Sequence, residues 1–293
     1  SGATVDVLTA DGAFVARAAY SPSSQIRARV WTFDAREPID AGFFLRRVAR
    51  AVAARASMLD ALHTGCRLIH GEADGLPGVV ADRYGDTVVL QLSSAGAERW
   101  RDAIVAALVE ATGAACVFER SDAEVRKLEG LPSRIGVRHG ALPEVVRFVE
   151  AGIAYRADVV AGQKTGFYLD QRANRDAVRA LAAGREVLNA FCYTGAFTLA
   201  ALAGGATQVV SIDSSGDALA LARPAHQQRL AVREPECLHV DGQAARHVRV
   251  IDAEGKVLQR ELNAQFLRQA PREFGLGHDA LGRRNDCGGV LGK

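Results

Sequence analysis

Apolar positions alternate from the start of the chain. Thr4 to Thr9, Asp11-Gly12 and Phe14 to Tyr20 together predict a β-hairpin closed by a two-residue turn. Gln25 to Phe33 continues as a strand with Arg27 and Arg29 on one face. The period then changes. Phe43, Phe44, Val48, Val52 and Leu59 recur at helical spacing over Arg36 to Ala61, with Arg46, Arg47, Arg50 and Arg55 among them. Strands follow at Arg67 to His70, Val79 to Arg83 and Thr87 to Leu92, separated by turns at Asp74 to Gly78 and Gly85-Asp86. An amphipathic helix over Ala97 to Thr112 leads to a strand at Ala115 to Glu119 and a short helix at Ala123 to Glu129. Gly136 to Glu150 reads as a connector that ends in a strand at Val145 to Glu150. Several strands with one or two helices make a small α+β domain.

From Ile153 the pattern becomes strand, loop, helix, strand, loop, helix, strand. Ile153 to Val159 enters the loop Gly162 to Arg172, a helix runs over Arg172 to Ala183, and a βαβ unit extends from Val187 to Asp213. In such a unit the loop after the first strand aims backbone N–H groups from a helix N-terminus. An acid closing the second strand accepts from ribose hydroxyls. Asp213 follows Gly195 by close to the roughly 20 residues expected. The loop has one glycine, Gly195, rather than Gly-x-Gly-x-x-Gly, which argues against a pyrophosphate. An adenosine ligand without phosphate tolerates Asn189, Phe191 and Tyr193 there, and S-adenosylmethionine is one. An ordinary βαβ unit with no ligand remains the alternative. Lys164-Thr165-Gly166 resembles part of a phosphate loop, but the glycine four residues before Gly-Lys is absent. A loop carrying Lys164, Tyr168, Asp170, Gln171 and Arg172 can instead line a cofactor or RNA groove.

Composition narrows the class without choosing the chemistry. The 293 residues predict two domains, or three small ones, and 48% hydrophobic with 24% charged residues is ordinary globular protein. A net charge of +2 means that any nucleic-acid binding comes from local patches. Arginine greatly outnumbers lysine, which suits planar contacts to phosphate or bases and equally a GC-rich coding bias. The five cysteines are dispersed with no Cys-x-x-Cys pair, arguing against a zinc site or disulfide framework and for a reducing cytoplasm. No apolar run reaches the roughly 18 residues that span a bilayer, so no membrane partner is expected. The start at Ser1-Gly2-Ala3, directly in a strand pattern, reads as a fragment lacking its first residues.

Several segments carry a family resemblance: Tyr20 to Phe33, Arg67 to Gly78, Glu119 to Lys127, Gly162 to Arg172 and Asn189 to Gly195. Together they resemble the PUA-domain-containing bacterial cytosine-C5 methyltransferases of 23S ribosomal RNA, densely up to about residue 222. The resemblance implies an α/β fold, with an incomplete Rossmann-like class I methyltransferase domain preceded by a small α+β domain and a partial PUA-like β-barrel. The implied boundaries are 1–35 for the PUA-like part, 36–62 for a helical linker and 63–150 for the central domain. The cofactor-binding half would occupy 151–256, and a divergent, disordered tail 257–293. Asn189, Phe191, Tyr193, Thr194 and Gly195 then match the S-adenosylmethionine loop, Asp213 the ribose acid, and Asp241 the carboxylate near the adenine amino group. Lys164, Thr165, Gly166 and Gln171 match the loop over the cofactor. Arg27, Arg29, Tyr168 and Arg172 are RNA-contact candidates, and 23S ribosomal RNA is the implied partner.

The same resemblance exposes a gap. Cytosine-C5 methylation needs a cysteine thiolate that adds to C6 of an extruded base. Relatives carry an Asp-Pro-Pro-Lys segment after the fourth strand and a Ser-Cys-Ser-like segment after the fifth. Neither occurs here. Cys192 reads as loop filler, Cys287 falls in the tail, and no catalytic residue is assigned. Pro224, just after the helix Ser215 to Arg223, is expected to interrupt the helix that relatives continue there. The change of pattern suggests a frameshift, a truncated gene copy or an assembly artefact, and the expectation is impaired turnover. An incomplete sheet also predicts self-association into a homodimer. The alternatives are a non-catalytic RNA-binding remnant and a nucleotide-dependent oxidoreductase, the latter at odds with the single-glycine loop.

Overall fold

The computed structural model describes residues 1–227, 236–240, 248–251 and 257–258. It divides into two compact units, Ser1–Asn174 and Arg175–Lys293.

The first unit opens with a three-stranded antiparallel sheet of β1 (Ala3–Leu8), β2 (Phe14–Tyr20) and β3 (Ala28–Thr32). The hairpin turn is wider than two residues. Leu8 pairs with Phe14, and Thr9 and Ala13 close a loop in which the Gly12 N–H donates to the Thr9 carbonyl at 3.0 Å. Asp40 then caps α1 (Ala41–Ala53), its Oδ1 accepting from the Phe43 N–H at 2.8 Å. The long helix expected over Arg36 to Ala61 is therefore shorter at both ends, and Ala56–Met58 forms only a 3₁₀ turn.

The central sheet has the order β4 (Gly65–His70), β5 (Val79–Tyr84), β6 (Thr87–Leu92), β7 (Cys116–Ser121) and β8 (Arg134–Gly140). All its pairs are antiparallel except β6 with β7. That parallel pair is bridged by α2 (Ala95–Arg99) and α3 (Arg101–Thr112), separate helices where one was expected because the chain bends at Trp100. A short α4 (Val125–Leu128) follows β7. One apolar core, including Phe43, Phe44, Val48, Leu68, Leu90 and Ile104, joins α1 and α3 to the sheet. Trp31 from β3 packs edge-on against Phe44 at 5.3 Å, tying the first sheet to that core. Strand β8 falls in the stretch expected as a connector; exposed over most of its length, it has no apolar alternation to mark it.

A hairpin of β9 (Val146–Glu150) and β10 (Ile153–Ala157) packs an aromatic group of Tyr84, Phe148, Tyr155 and Phe167. Gly65 makes room for it, since a Cβ there would sit 2.4 Å from the Phe148 ring. The expected domain boundary at 150/151 falls inside this hairpin, whose paired strands hold both sides together. The units divide between Asn174 and Arg175 instead.

The second unit carries most of α5 (Arg172–Leu181) and a five-stranded sheet: β11 (Glu186–Ala190), β12 (Gln208–Asp213), β13 (Glu236–Val240), β14 (Val248–Ile251) and β15 (Val257–Leu258). The first three strands are parallel and the last two antiparallel. Connections run through α6 (Ala196–Ala203) and α7 (Gly216–Gln227). Two expectations are corrected here. Helix α7 continues through Pro224, which removes a single N–H donor from an otherwise bonded helix. The segment assigned to a disordered tail supplies β15, paired with β14. Ala182, Ala201, Leu202, Ala206 and Val209 form the core between the helices and β12.

Candidate functional site

The candidate cofactor residues of the second unit meet at the C-terminal ends of β11 and β12, where an open parallel sheet binds ligands. Asn189, next to the end of β11, pairs with Ser211 of β12. Its side-chain amide donates to Thr198 Oγ1 at 2.9 Å, and Thr198 and the buried Ser211 hydroxyl lie 2.6 Å apart. This polar chain fixes the loop's entry to the first turns of α6. The loop then takes left-handed backbone at Phe191 (φ 60°), Tyr193 (φ 51°) and Gly195 (φ 75°). Only glycine adopts that region at no steric cost. Three hydrogen bonds hold it: Cys192 N–H to the Ile212 carbonyl (3.0 Å), Gly195 N–H to the Cys192 carbonyl (2.8 Å), and Tyr193 N–H to Asp213 Oδ2 (2.6 Å). Asp213 Oδ1 accepts from the Ser215 N–H at 2.8 Å.

A carboxylate with two oxygens has about four lone-pair sites. The two backbone donors therefore orient Asp213 and leave it acceptor capacity for a pair of vicinal hydroxyls. Phe191, in the same loop, is 89% exposed, an aromatic face on which an adenine can stack. Thr194 Oγ1 is buried with no hydrogen-bond partner in the structure, a polar atom in the loop that a ligand can satisfy. These features fit an adenosine-bearing cofactor. Cys192 is buried behind the loop, consistent with filler. Asp241 lies outside the described residues.

The candidates of the first unit cluster on the loop after β10. Thr165 is fully buried. Its hydroxyl donates to Asp82 Oδ2 at 2.5 Å and lies 2.7 Å from the Tyr84 hydroxyl. Asp82 is also held bidentately by Arg67 at 2.8 and 2.9 Å, and that pairing holds the Arg67 proton more tightly than usual. Burial, more than any partner, pushes the Tyr84 hydroxyl well above its ordinary pKa. Thr165 thus anchors the loop rather than presenting its hydroxyl to a ligand. Gly166 (φ 125°) admits no side chain, because a Cβ would stand 2.8 Å from the Asp158 carbonyl. Lys164, itself left-handed at φ 54°, donates to Asp170 at 2.9 and 3.0 Å and lies 4.4 Å over the Tyr168 ring. Burial raises the Asp170 carboxyl, but Lys164 outweighs it and holds the group below the ordinary carboxylate range. Gln171 accepts from Asn174 at 2.7 Å. Arg172 pairs with Glu150 at 3.4 Å and donates to the Gly65 carbonyl.

The two PUA-like arginines part company. Arg27 precedes β3 and donates to the Pro22 carbonyl. Arg29 reaches back to Glu72 (3.2 Å) and the buried Glu129 (3.4 Å), so it braces the first sheet against the central one. Sequence reasoning missed Asp82, Tyr84 and Arg67, which reach the loop only through the fold. Among the described residues, no group of three or more His, Cys, Asp or Glu side chains could hold a metal, and no helix is long and apolar enough to cross a membrane.

Comparison with known proteins gives this geometry its family. A profile of S-adenosylmethionine-dependent methyltransferases matches residues 133–234, and one of PUA-like domains matches residues 1–33. A solved S-adenosylmethionine-dependent methyltransferase of Streptococcus mutans superposes with a TM-score of 0.70 at 26% identity, covering 82% of this chain and 63% of that one. A methyltransferase solved in complex with S-adenosylhomocysteine gives 0.72 at 26% identity, covering 83% and 62%. The chain is built as a class I S-adenosylmethionine-dependent methyltransferase with an N-terminal PUA-like domain.

Within that class it belongs to the family of the ribosomal RNA large subunit methyltransferases I. The Shewanella frigidimarina protein of that name is 49% identical over 225 residues, 76% of this chain and 57% of the relative. The Photobacterium profundum protein is 52% identical over 225 residues, 76% of this chain and 56% of the relative. The chain thus spans little more than half the length of the curated relatives it matches.

Proposed function

We propose that this chain binds S-adenosylmethionine at the ends of β11 and β12 and 23S ribosomal RNA through its first unit, as the recognition portion of a cytosine-C5 methyltransferase acting in the cytoplasm. The observation that carries the reading is the loop Asn189 to Gly195, strained at two aromatic residues and pinned to Asp213, with a buried unpartnered hydroxyl at Thr194. Asp213 would accept from the ribose hydroxyls, Phe191 would cover the adenine, and the backbone at the start of α6 would face the amino-acid portion. Asp241 completes the proposed cofactor set of the second unit; Arg27, Tyr168 and Arg172 are proposed RNA contacts. When bound, the cofactor supplies an electrophilic methyl group on sulfur.

The cysteine that would activate a cytosine has no counterpart in these 293 residues, which hold neither an Asp-Pro-Pro-Lys nor a Ser-Cys-Ser segment. We therefore infer binding without efficient transfer. Calorimetric titration with S-adenosylhomocysteine tests the first half: saturable binding that Asp213→Ala abolishes is expected, and no heat with the unsubstituted chain would overturn it. Transfer of labelled methyl from S-adenosylmethionine to ribosomal RNA by the purified chain would overturn the second half.

A further inference from the structure

The central sheet ends on β8, which pairs on one side only, with β7, and four arginines gather at that edge around two carboxylates. Glu98 accepts from Arg126 at 3.1 Å and Arg134 at 2.8 Å and also pairs with Arg101. Glu119, fully buried, accepts from Arg138 at 2.5 Å and lies 3.3 Å from Arg101 Nε. Four guanidinium groups share these two carboxylates, with Asp102 also acting on Arg101, so positive charge is in excess. Holding like charges together is costly. Burial first, then the neighbouring Arg134 and Arg138, push the Arg101 guanidinium below its ordinary pKa against the pull of Glu119.

Arg134 and Arg138 engage the carboxylates through Nε alone. Their outer N–H groups find no hydrogen-bond partner among the described residues, and the side chains are 42% and 29% exposed. Two arginine forks on one strand, one held by the half-buried Glu98 and one by the buried Glu119, keep exposed N–H groups of the kind that grips phosphate oxygens bidentately.

We propose that β8 and its arginines are a docking surface for the phosphate backbone of RNA, separate from the PUA-like sheet. This rests on the RNA-binding reading above and assigns it a second contact. Two other occupants fit less well. A second copy of β8 would set arginine against arginine, which repels. A peptide strand adding to the edge needs a regular ladder, and the register shift opposite Val117 and Phe118 leaves Arg138 as an unpaired bulge. Phosphate contacts need no such ladder.

The test is fluorescence anisotropy of a labelled single-stranded RNA across a salt series. Three chains are compared: unsubstituted, Arg134→Gln with Arg138→Gln, and the control Arg185→Gln, exposed just before β11. Each lost phosphate contact lowers the slope of log affinity against log salt by about 0.7 for single strands. The double variant should therefore lose about 1.4 and the control nothing. Because Arg138→Gln uncovers buried Glu119, hydrogen exchange on the unsubstituted chain gives an independent reading: RNA should slow exchange across residues 134–140. An unchanged slope in a folded double variant, or no protection of β8, overturns the proposal. Stronger protection of β8 by polyglutamate than by RNA also overturns it, assigning the edge to an acidic protein. A chain that binds S-adenosylhomocysteine and not RNA overturns it while leaving the cofactor reading intact.

Discussion

Around the central sheet, left-handed backbone falls on glycine, as at Gly75 (φ 67°), Gly78 (φ 76°) and Gly85 (φ 60°). In the loop between β11 and α6 the same backbone region is occupied by Phe191 and Tyr193, with glycine only at the last position. An L-residue there costs roughly 1–2 kcal/mol. The first arrangement relieves strain where only a reversal is needed. The second keeps strain beside an oriented carboxylate and an exposed aromatic ring. Stored backbone strain of this kind concentrates at ligand sites, and the surrounding hydrogen bonds to Ile212 and Asp213 hold it in place.

The largest break in that comparison should come from the rigid side. Asp82→Ala leaves the Arg67 guanidinium without its buried partner and Thr165 without its acceptor, a loss of about 3 kcal/mol. Both tryptophans, Trp31 and Trp100, lie in the first unit, so urea unfolding followed by their fluorescence reads that unit selectively. Next is Thr198→Val, which removes the hydroxyl linking Asn189 to Ser211. We expect about 1–2 kcal/mol lost from the second unit by circular dichroism, and weaker S-adenosylhomocysteine binding by calorimetry.

Phe191→Gly separates strain from binding. It should stabilise the second unit by up to about 1 kcal/mol while lowering affinity for S-adenosylhomocysteine. Lower stability together with unchanged affinity would erase the contrast between loop and turns. The smallest effect is in pH. Burial raises the Glu129 carboxyl, but Ser24, the Ala95 N–H and Arg29 outweigh it and hold the group below its ordinary 4.5. Its stabilising contribution is therefore complete above that value and is lost as pH falls through the lowered one. Thermal midpoints measured from neutral to acid pH should drop there, and Glu129→Gln should flatten the drop.

The cofactor loop was legible because its signal is local: strand, one glycine, apolar helix, strand, acid. Strand β6 was read to the residue for a related reason, since both its ends are marked by turns and polar residues. What escaped was long-range. Asp82 lies in an unexceptional strand until the chain folds and brings it to Thr165. Arg29 looks like an RNA contact until Glu129 arrives from a hundred residues away. Strand β8 has no period because it is an edge, and an edge is defined by the neighbour it lacks. Family resemblance recovered the cofactor and the fold class, but spacing could not mark Arg29 as an arginine that braces.

The single parallel pair in the central sheet has a consequence for the basic edge beyond it. The hairpin β5–β6 closes over a tight turn and β4–β5 over a connection holding one 3₁₀ turn, whereas β7 is joined to β6 through α2 and α3. A parallel pair needs such a crossover, which raises the sequence separation of its contacts above that of the hairpins. Of the two acids at the basic edge, Glu119 lies on β7 itself, 19 residues from Arg138, while Glu98 comes from the crossover helix, 36 residues from Arg134. The basic edge therefore draws one acid from its own hairpin and the other from the crossover that makes the parallel pair.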